Sequence, residues 1–282
     1  MSYKLNALLQ HLLPKRFLTS LAGRVANAQR SEMTNWLIGL FVKKYGVDMS
    51  EALQSDTRTY LSFNEFFARS LKAHVRPLAN ADFVSPVDGT ISQFGRIDDH
   101  RILQAKGHYF NVPELLGGDT ALAEHFRHGK FVNLYLSPRD YHRVHMPCDG
   151  RLKRMIYIPG TLFSVNPGTA RGIRNLFARN ERVVCEFTSS DDRSFAMVLI
   201  GATIVGSIAT VWHGLVKPKS KRRITDWRYA DNEIDLKKGH EMGRFLLGST
   251  VVMLFPSESI EFHPSWAPER TVCLGEPMGT HN

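Results

Sequence analysis

Residues 239–255 read GHEMGRFLLGSTVVMLF, and the rest of the chain has to be organised around them. The β-branched and aromatic residues in Val251-Val252-Met253-Leu254-Phe255 argue for a buried strand. A second apolar run, Phe245-Leu246-Leu247, precedes it, and Gly248-Ser249 lies between the two. Gly248 lacks a Cβ and permits backbone conformations that other residues avoid. The Ser249 hydroxyl therefore stands beside an unhindered carbonyl at the mouth of a strand. The same letters also suit a β-bulge or a tight turn, and short motifs misfire often.

From about residue 83 the sequence is written in short strand-like segments: 89–94, 131–136, 152–158, 183–187, 195–200, 203–212, 250–255 and 259–262. Asp88-Gly89, Asp149-Gly150 and Pro159-Gly160 are turn signals between them. Strands do not alternate with helices, which argues against a doubly wound sheet. The N-terminal quarter reads differently. Leu5, Leu8, Leu9, Leu12 and Leu13 share one helical face; Phe17, Leu18, Leu21, Ala22 and Val25 share a second; Met33, Trp36, Leu37, Leu40 and Phe41 share a third. Ser62-Phe63-Asn64-Glu65 is a capping box ahead of Phe66 and Phe67. The expectation is an α+β fold, with N-terminal amphipathic helices followed by a mainly antiparallel β sandwich or barrel-like core. The division falls between a helical membrane-associating region, 1–75, and a β-rich catalytic domain, 76–282.

The helical stripes carry basic flanks, and the 282-residue chain has a formal net charge of +9. Such helices pack on a core as a layer, or they lie in a bilayer surface with Lys and Arg against anionic lipid. The longest apolar run near the N-terminus, 36–42, falls far short of the roughly 20 residues a spanning helix needs. No signal peptide is legible, and three widely spaced cysteines form no zinc or disulfide pattern, which fits a reducing compartment. The run KPKSKRR at 217–223 reads as a solvated loop or as a phosphate contact. No aromatic residue is interleaved in it, which weakens a nucleic-acid reading.

Chemistry concentrates in YLSPRDYHRVHMPC, residues 135–148. His142 and His145 suit three roles: structural hydrogen bonding, a metal pair with Asp140 or Cys148, or acid–base work near neutral pH. Asp88, in FVSPVDG, suits either a turn or the carboxylate that orients a histidine. An Asp, a His and a Ser from distant positions can form a relay in any chain order. Two other readings stay open beside the relay: a metal-dependent hydrolase built on His142, His145 and Asp140, and a non-enzymatic basic peripheral membrane-binding protein.

Taken together, LGST within GRFLLGSTVVMLF, VDG at 87–89 and YLSPRDYHRVHMP resemble the phosphatidylserine decarboxylase family, in its short bacterial membrane-associated form. Further matches are AKG at 105–107, PGTLFSVN at 159–166, LFARNERV at 176–183 and IGATIVGSI at 200–208. Residues 217–233 and the short tail after Gly279 match little. The resemblance implies a self-processing zymogen that divides at Gly248–Ser249 into a large chain, 1–248, and a small chain, 249–282. Ser249 would become a covalent pyruvoyl group that forms a Schiff base with the substrate amine. It further implies His145 as the base that activates Ser249, Asp88 as its orienting carboxylate, and His142 as a proton donor in decarboxylation. Phe163, Ser164 and Asn166 would line a headgroup pocket. The implied partners are a phospholipid substrate and an anionic membrane surface, with no metal and no nucleic acid. The implied assembly is a dimer of processed units on the cytoplasmic side of the cell membrane.

Overall fold

A computed structural model describes residues 23–29, 32–105, 107–202, 208–217, 222–230, 233–246 and 249–282. The expected helix over Leu5–Leu13, most of the second stripe, the start of the 203–212 strand, the middle of the 217–223 basic run, and Gly248 lie outside these residues. In chain order the strands begin β1 (Phe83–Val84), β2 (Gly89–Arg96), β3 (Arg101–Ala105), β4 (His108–Asn111), β5 (Lys130–Leu136) and β6 (Arg143–His145). They continue β7 (Gly150–Ile158), β8 (Arg182–Ser189), β9 (Ser194–Ile200), β10 (Ile208–Thr210), β11 (Gly214–Leu215) and β12 (Thr225–Arg228). Last come β13 (Asp235–Leu236), β14 (Glu241–Phe245), β15 (Ser249–Phe255), β16 (Glu261–Phe262), β17 (Thr271–Val272) and β18 (Pro277–Thr280).

One large antiparallel sheet runs β12-β7-β8-β9-β15-β5-β2-β17, with β13 also on β7. The α+β expectation with a mainly antiparallel core holds. The sheet stays open, however, because its path ends at β12 and β17 rather than closing into a barrel. Both faces are covered by other elements, so closure is not needed to bury them. The side chains of β15 divide between the two faces. Val251, Met253 and Phe255 join one apolar cluster, and Val252 and Leu254 join the other. This explains the unbroken apolar run: each parity of the strand has its own core.

The N-terminal layer is built from α1 (Glu32–Tyr45) and α2 (Phe63–Phe67). Ser62 caps α2 by accepting from the Glu65 N–H at 3.2 Å, while the Glu65 carboxylate accepts from the Leu61 N–H, one residue before the cap. The face that α1 packs inward differs from the stripe read in the sequence. Ile38 is buried, and Phe41 and Val42 are partly buried, against Tyr60, Phe66 and Phe67. Met33 and Trp36, both 64% exposed, stand on the roughly opposite side with Leu40. The helix has two apolar sides, and tertiary packing takes only one of them. Among the described residues no helix is long and apolar enough to cross a membrane.

Candidate active site

A second, smaller sheet, β11-β10-β14-β6, positions the chemistry. The chain passes from β5 to β6 through residues 137–142, and from β14 to β15 through residues 246–248. β5 pairs with β15 and β6 pairs with β14, so the loop 137–142 runs between the strand that pairs with the start of β15 and the strand that pairs with β14. Ser249 opens β15 opposite Leu136. It is fully buried, and its Oγ has no hydrogen-bond partner. A hydroxyl so placed is costly unless something uses it.

His142 brackets this junction. Its carbonyl accepts from the Phe245 N–H at 3.0 Å, and its Nε2–H donates to the Ser137 carbonyl at 3.0 Å. The ring stacks on Phe67, centroids 4.0 Å apart. With Nε2 protonated, Nδ1 carries a lone pair, and that atom is buried without a partner. Burial, followed by the Arg69 charge, pushes the His142 pKa down to about 3, so the imidazole is neutral. The loop is held by its own chemistry: the Ser137 N–H donates to the Asp140 carboxylate at 2.6 Å.

His145 sits farther along the ribbon, opposite Glu241 at the start of β14. Its Nδ1–H donates to the Gly239 carbonyl at 2.8 Å, and its Nε2 accepts from the Tyr141 hydroxyl at 3.0 Å. Gly239 adopts φ +79, and a Cβ there would meet Leu78 at 2.4 Å, so glycine is needed to turn this carbonyl toward the ring. Burial lowers the His145 pKa against the opposing effect of the Gly239 bond. Burial also pushes Tyr141 up to about 12, keeping it a hydroxyl donor.

The turn carrying Asp88 reaches His145 through its backbone, since the His145 N–H donates to the Pro86 carbonyl at 2.9 Å. The carboxylate itself faces elsewhere. It accepts from Arg76 Nε and Nη2 at 2.9 and 2.6 Å and from the Leu274 N–H at 2.8 Å. Arg76 also grips both Glu51 oxygens, at 2.9 and 2.7 Å. The orienting contact expected between Asp88 and His145 is therefore made instead by Gly239 and Tyr141, because Arg76 and Leu274 already engage the Asp88 oxygens. Gly89 explains the neighbouring turn: a Cβ there would stand 2.5 Å from the Tyr135 carbonyl, so only glycine lets β2 come this close to β5.

Phe163 is buried in the apolar cluster shared with Val252 and Ile200, whereas Ser164 is half-buried and Asn166 is exposed. The Phe163 backbone is pinned by the buried Asn180 side chain, which also donates to the Gly201 carbonyl. Asn166 caps the helix Pro167–Ala170 and donates to Ser164 Oγ at 2.9 Å. Asp140 binds its own loop, and His142 and His145 point to different carbonyls. Among the described residues no group of three or more His, Cys, Asp or Glu side chains is arranged to hold a metal. Among the described residues, His142, His145 and Asp140 are thus not arranged as the ligand set that the metal-hydrolase alternative requires.

Arg76, Glu51, Tyr141, Phe67 and Arg69 were missed as parts of this site. Arg76-Pro77 reads in the sequence as punctuation, and Tyr141 lies in plain view within the YHRVH motif. Nothing local marks Glu51 or Phe67.

The model for "Phosphatidylserine decarboxylase" matches residues 63–280, and a second model, "PSD", matches residues 5–46. The chain belongs to the phosphatidylserine decarboxylase family. Relatives in this family cover it end to end. A phosphatidylserine decarboxylase proenzyme of Variovorax paradoxus (strain S110) is 61% identical over 99% of this chain and 98% of its own. Those of Dechloromonas aromatica (strain RCB) and Azoarcus sp. (strain BH72) are 58% and 60% identical, over 100% and 99% of this chain and 99% and 96% of theirs. Phosphatidylserine decarboxylase family membership thus extends over both the helical layer and the sheet.

Proposed function

We propose that this chain is a proenzyme that cuts itself at Gly248–Ser249 and then decarboxylates phosphatidylserine to phosphatidylethanolamine on the cytoplasmic face of the cell membrane. The observation that carries the reading is the Ser249 hydroxyl, buried and unpartnered at the first residue of the central strand, in a family whose relatives are named proenzymes. A hydroxyl kept for reaction rather than for structure fits the precursor of a pyruvoyl group.

In the cleavage, Ser249 Oγ attacks the Gly248 carbonyl carbon and the peptide C–N bond breaks, leaving an ester and a free Ser249 amine. Loss of the Ser249 Cα proton then expels the Gly248 carboxylate and leaves dehydroalanine. Water hydrolyses its imine tautomer, releasing ammonia and leaving a ketone. His145 takes the Oγ proton, because serine is a weak nucleophile without a base. Burial favours its neutral form, and with Nδ1–H tied to Gly239 its basic atom is Nε2. The Tyr141 hydroxyl has to turn aside for that transfer. Asp88 adds negative charge nearby. The pyruvoyl carbonyl supplies the electron sink that lets carbon dioxide depart. His142, in the loop that follows Leu136, the residue paired with Ser249, is assigned the proton at the reacting carbon. Phe163, Ser164 and Asn166 are assigned to the headgroup pocket.

The small chain would stay bound after cleavage. β15 lies between β5 and β9, β17 pairs with β2, and β18 pairs with β1 and β16. Each buried apolar side chain of β15 contributes about 1.5–3 kcal/mol. The exposed Met33, Trp36 and Leu40 stripe, close to Lys43 and Lys44, supports membrane docking. Intact mass of the purified protein tests the reading. Two chains divided at Gly248–Ser249, the smaller blocked to N-terminal sequencing, are expected; a single full-length chain in an active preparation overturns it.

A further inference from the structure

We infer that Arg69 is the binding residue for the phosphodiester of the lipid substrate. The inference rests on the lipid-decarboxylase reading above. Arg69 is only 4% exposed, and arginine is seldom buried this deeply unless it is paired. No carboxylate is hydrogen-bonded to it. Asp88 and Glu51 are both engaged by Arg76, and Asp140 accepts from the Ser137 N–H. Arg69 Nη2 donates to the Arg139 carbonyl at 3.1 Å, the guanidinium lies over the Phe66 ring at 5.7 Å, and its Nε–H is buried without any acceptor. A neutral carbonyl and a ring face compensate a buried cation poorly, so an anion is the missing partner.

A second orphan identifies which anion. His142 Nδ1 is also buried and unpartnered. Both side chains hang from one loop, Arg69 on the Arg139 carbonyl and His142 on the Ser137 carbonyl, and that loop follows Leu136, the residue opposite Ser249. The substrate phosphodiester is separated from the reacting carbon by only a methylene and an oxygen. A group that holds the phosphate must then stand close to the group that attends that carbon. The substrate carboxylate is the poorer match. It leaves as carbon dioxide, and a guanidinium upon it would stabilise the ground state more than the transition state. The planar fork of arginine suits a phosphodiester, which presents two oxygens to it. Cleavage at Gly248–Ser249 also removes the covalent link between β14 and β15, both of which border the loop.

The test uses the full chain with Arg69→Gln and Arg69→Lys. Self-cleavage is followed by intact mass, and kcat and KM are measured on short-chain phosphatidylserine in detergent micelles. Inhibition by glycerophosphoethanolamine is compared with inhibition by ethanolamine, which lacks the phosphate. Arg69→Gln should process normally, raise KM about 10- to 100-fold, and lose the preference for the phosphorylated inhibitor. Arg69→Lys should keep part of both. Unchanged KM and an unchanged inhibitor preference in processed Arg69→Gln overturn the assignment. If neither variant is processed, Arg69 serves the precursor rather than the lipid and the assignment is also wrong. A wild-type chain that neither cleaves nor decarboxylates instead removes the underlying reading, and this one with it.

Discussion

Asp88 and Arg76 are locked in a two-pronged ion pair, Nε to Oδ1 at 2.9 Å and Nη2 to Oδ2 at 2.6 Å, with both side chains nearly buried. Arg76 reaches on to Glu51, so one guanidinium ties the residue proposed for catalysis to the segment that follows α1. Leu274, from the proposed small chain, donates to the same carboxylate. Asp88 is therefore the point where helical layer, sheet and small chain meet.

Removing Arg76 should cost more than removing the pair. Arg76→Ala leaves a buried carboxylate uncompensated and should lower unfolding stability by about 3 kcal/mol. Adding Asp88→Asn should recover much of that loss without restoring self-cleavage. Denaturant unfolding in a Ser249→Ala background, where every chain stays intact, measures the stability. Additive losses in the double variant would mean that the pair does not act as a unit.

The two histidines should separate the two halves of the reaction. His145→Ala is expected to block cleavage, whereas His142→Ala should cleave and then decarboxylate poorly. Tyr141→Phe frees His145 Nε2 and should cleave at least as fast as wild type, with about 1 kcal/mol of stability lost with the hydrogen bond. Time courses of precursor mass decide the matter. Failure of Tyr141→Phe to cleave would make Tyr141 a proton relay, and normal decarboxylation by His142→Ala would strip His142 of its role.

His142 should make the fold acid-sensitive. Its folded pKa, about 3, lies below the ordinary value of 6.5. Above 6.5 both folded and unfolded states are neutral there and the group has no effect. As pH falls toward 3 the unfolded chain takes up a proton that the folded chain refuses, so stability is lost by about 1.4 kcal/mol per pH unit. His142→Gln in the Ser249→Ala background should flatten that part of the stability–pH curve. An unchanged slope between pH 6 and 4, measured by chemical denaturation, would show that His142 titrates freely.

The exposed stripe on α1 should serve the membrane and not the fold. Changing Met33, Trp36 and Leu40 together to Ser should reduce partition onto anionic vesicles by at least about tenfold. Thermal stability and self-cleavage should stay near wild type, because Ile38, Phe41 and Val42 make the packing contacts. Vesicle co-sedimentation reads the first and intact mass the second. Equal partition by the variant would move the membrane contact elsewhere.

The strand at 251–255, the turn at Asp88-Gly89 and the cap at Ser62 were legible in the sequence because each follows from local chemistry. Burial of alternate side chains, a missing Cβ and a hydroxyl beside a free N–H all act within a few residues. The family motifs likewise sit in short contiguous runs. The inward face of α1 was not legible, since two apolar sides compete and only the packing of Phe66 and Phe67 selects one. The partners of Asp88 and His145 were not legible either. Arg76, Glu51, Leu274 and Gly239 come from separate parts of the chain, and hydrogen bonds of this kind depend on where distant backbones end up. Local sequence determined the elements and the chemically able residues; the tertiary structure decided which of those residues meet, because that depends on long-range packing and not on any spacing along the chain.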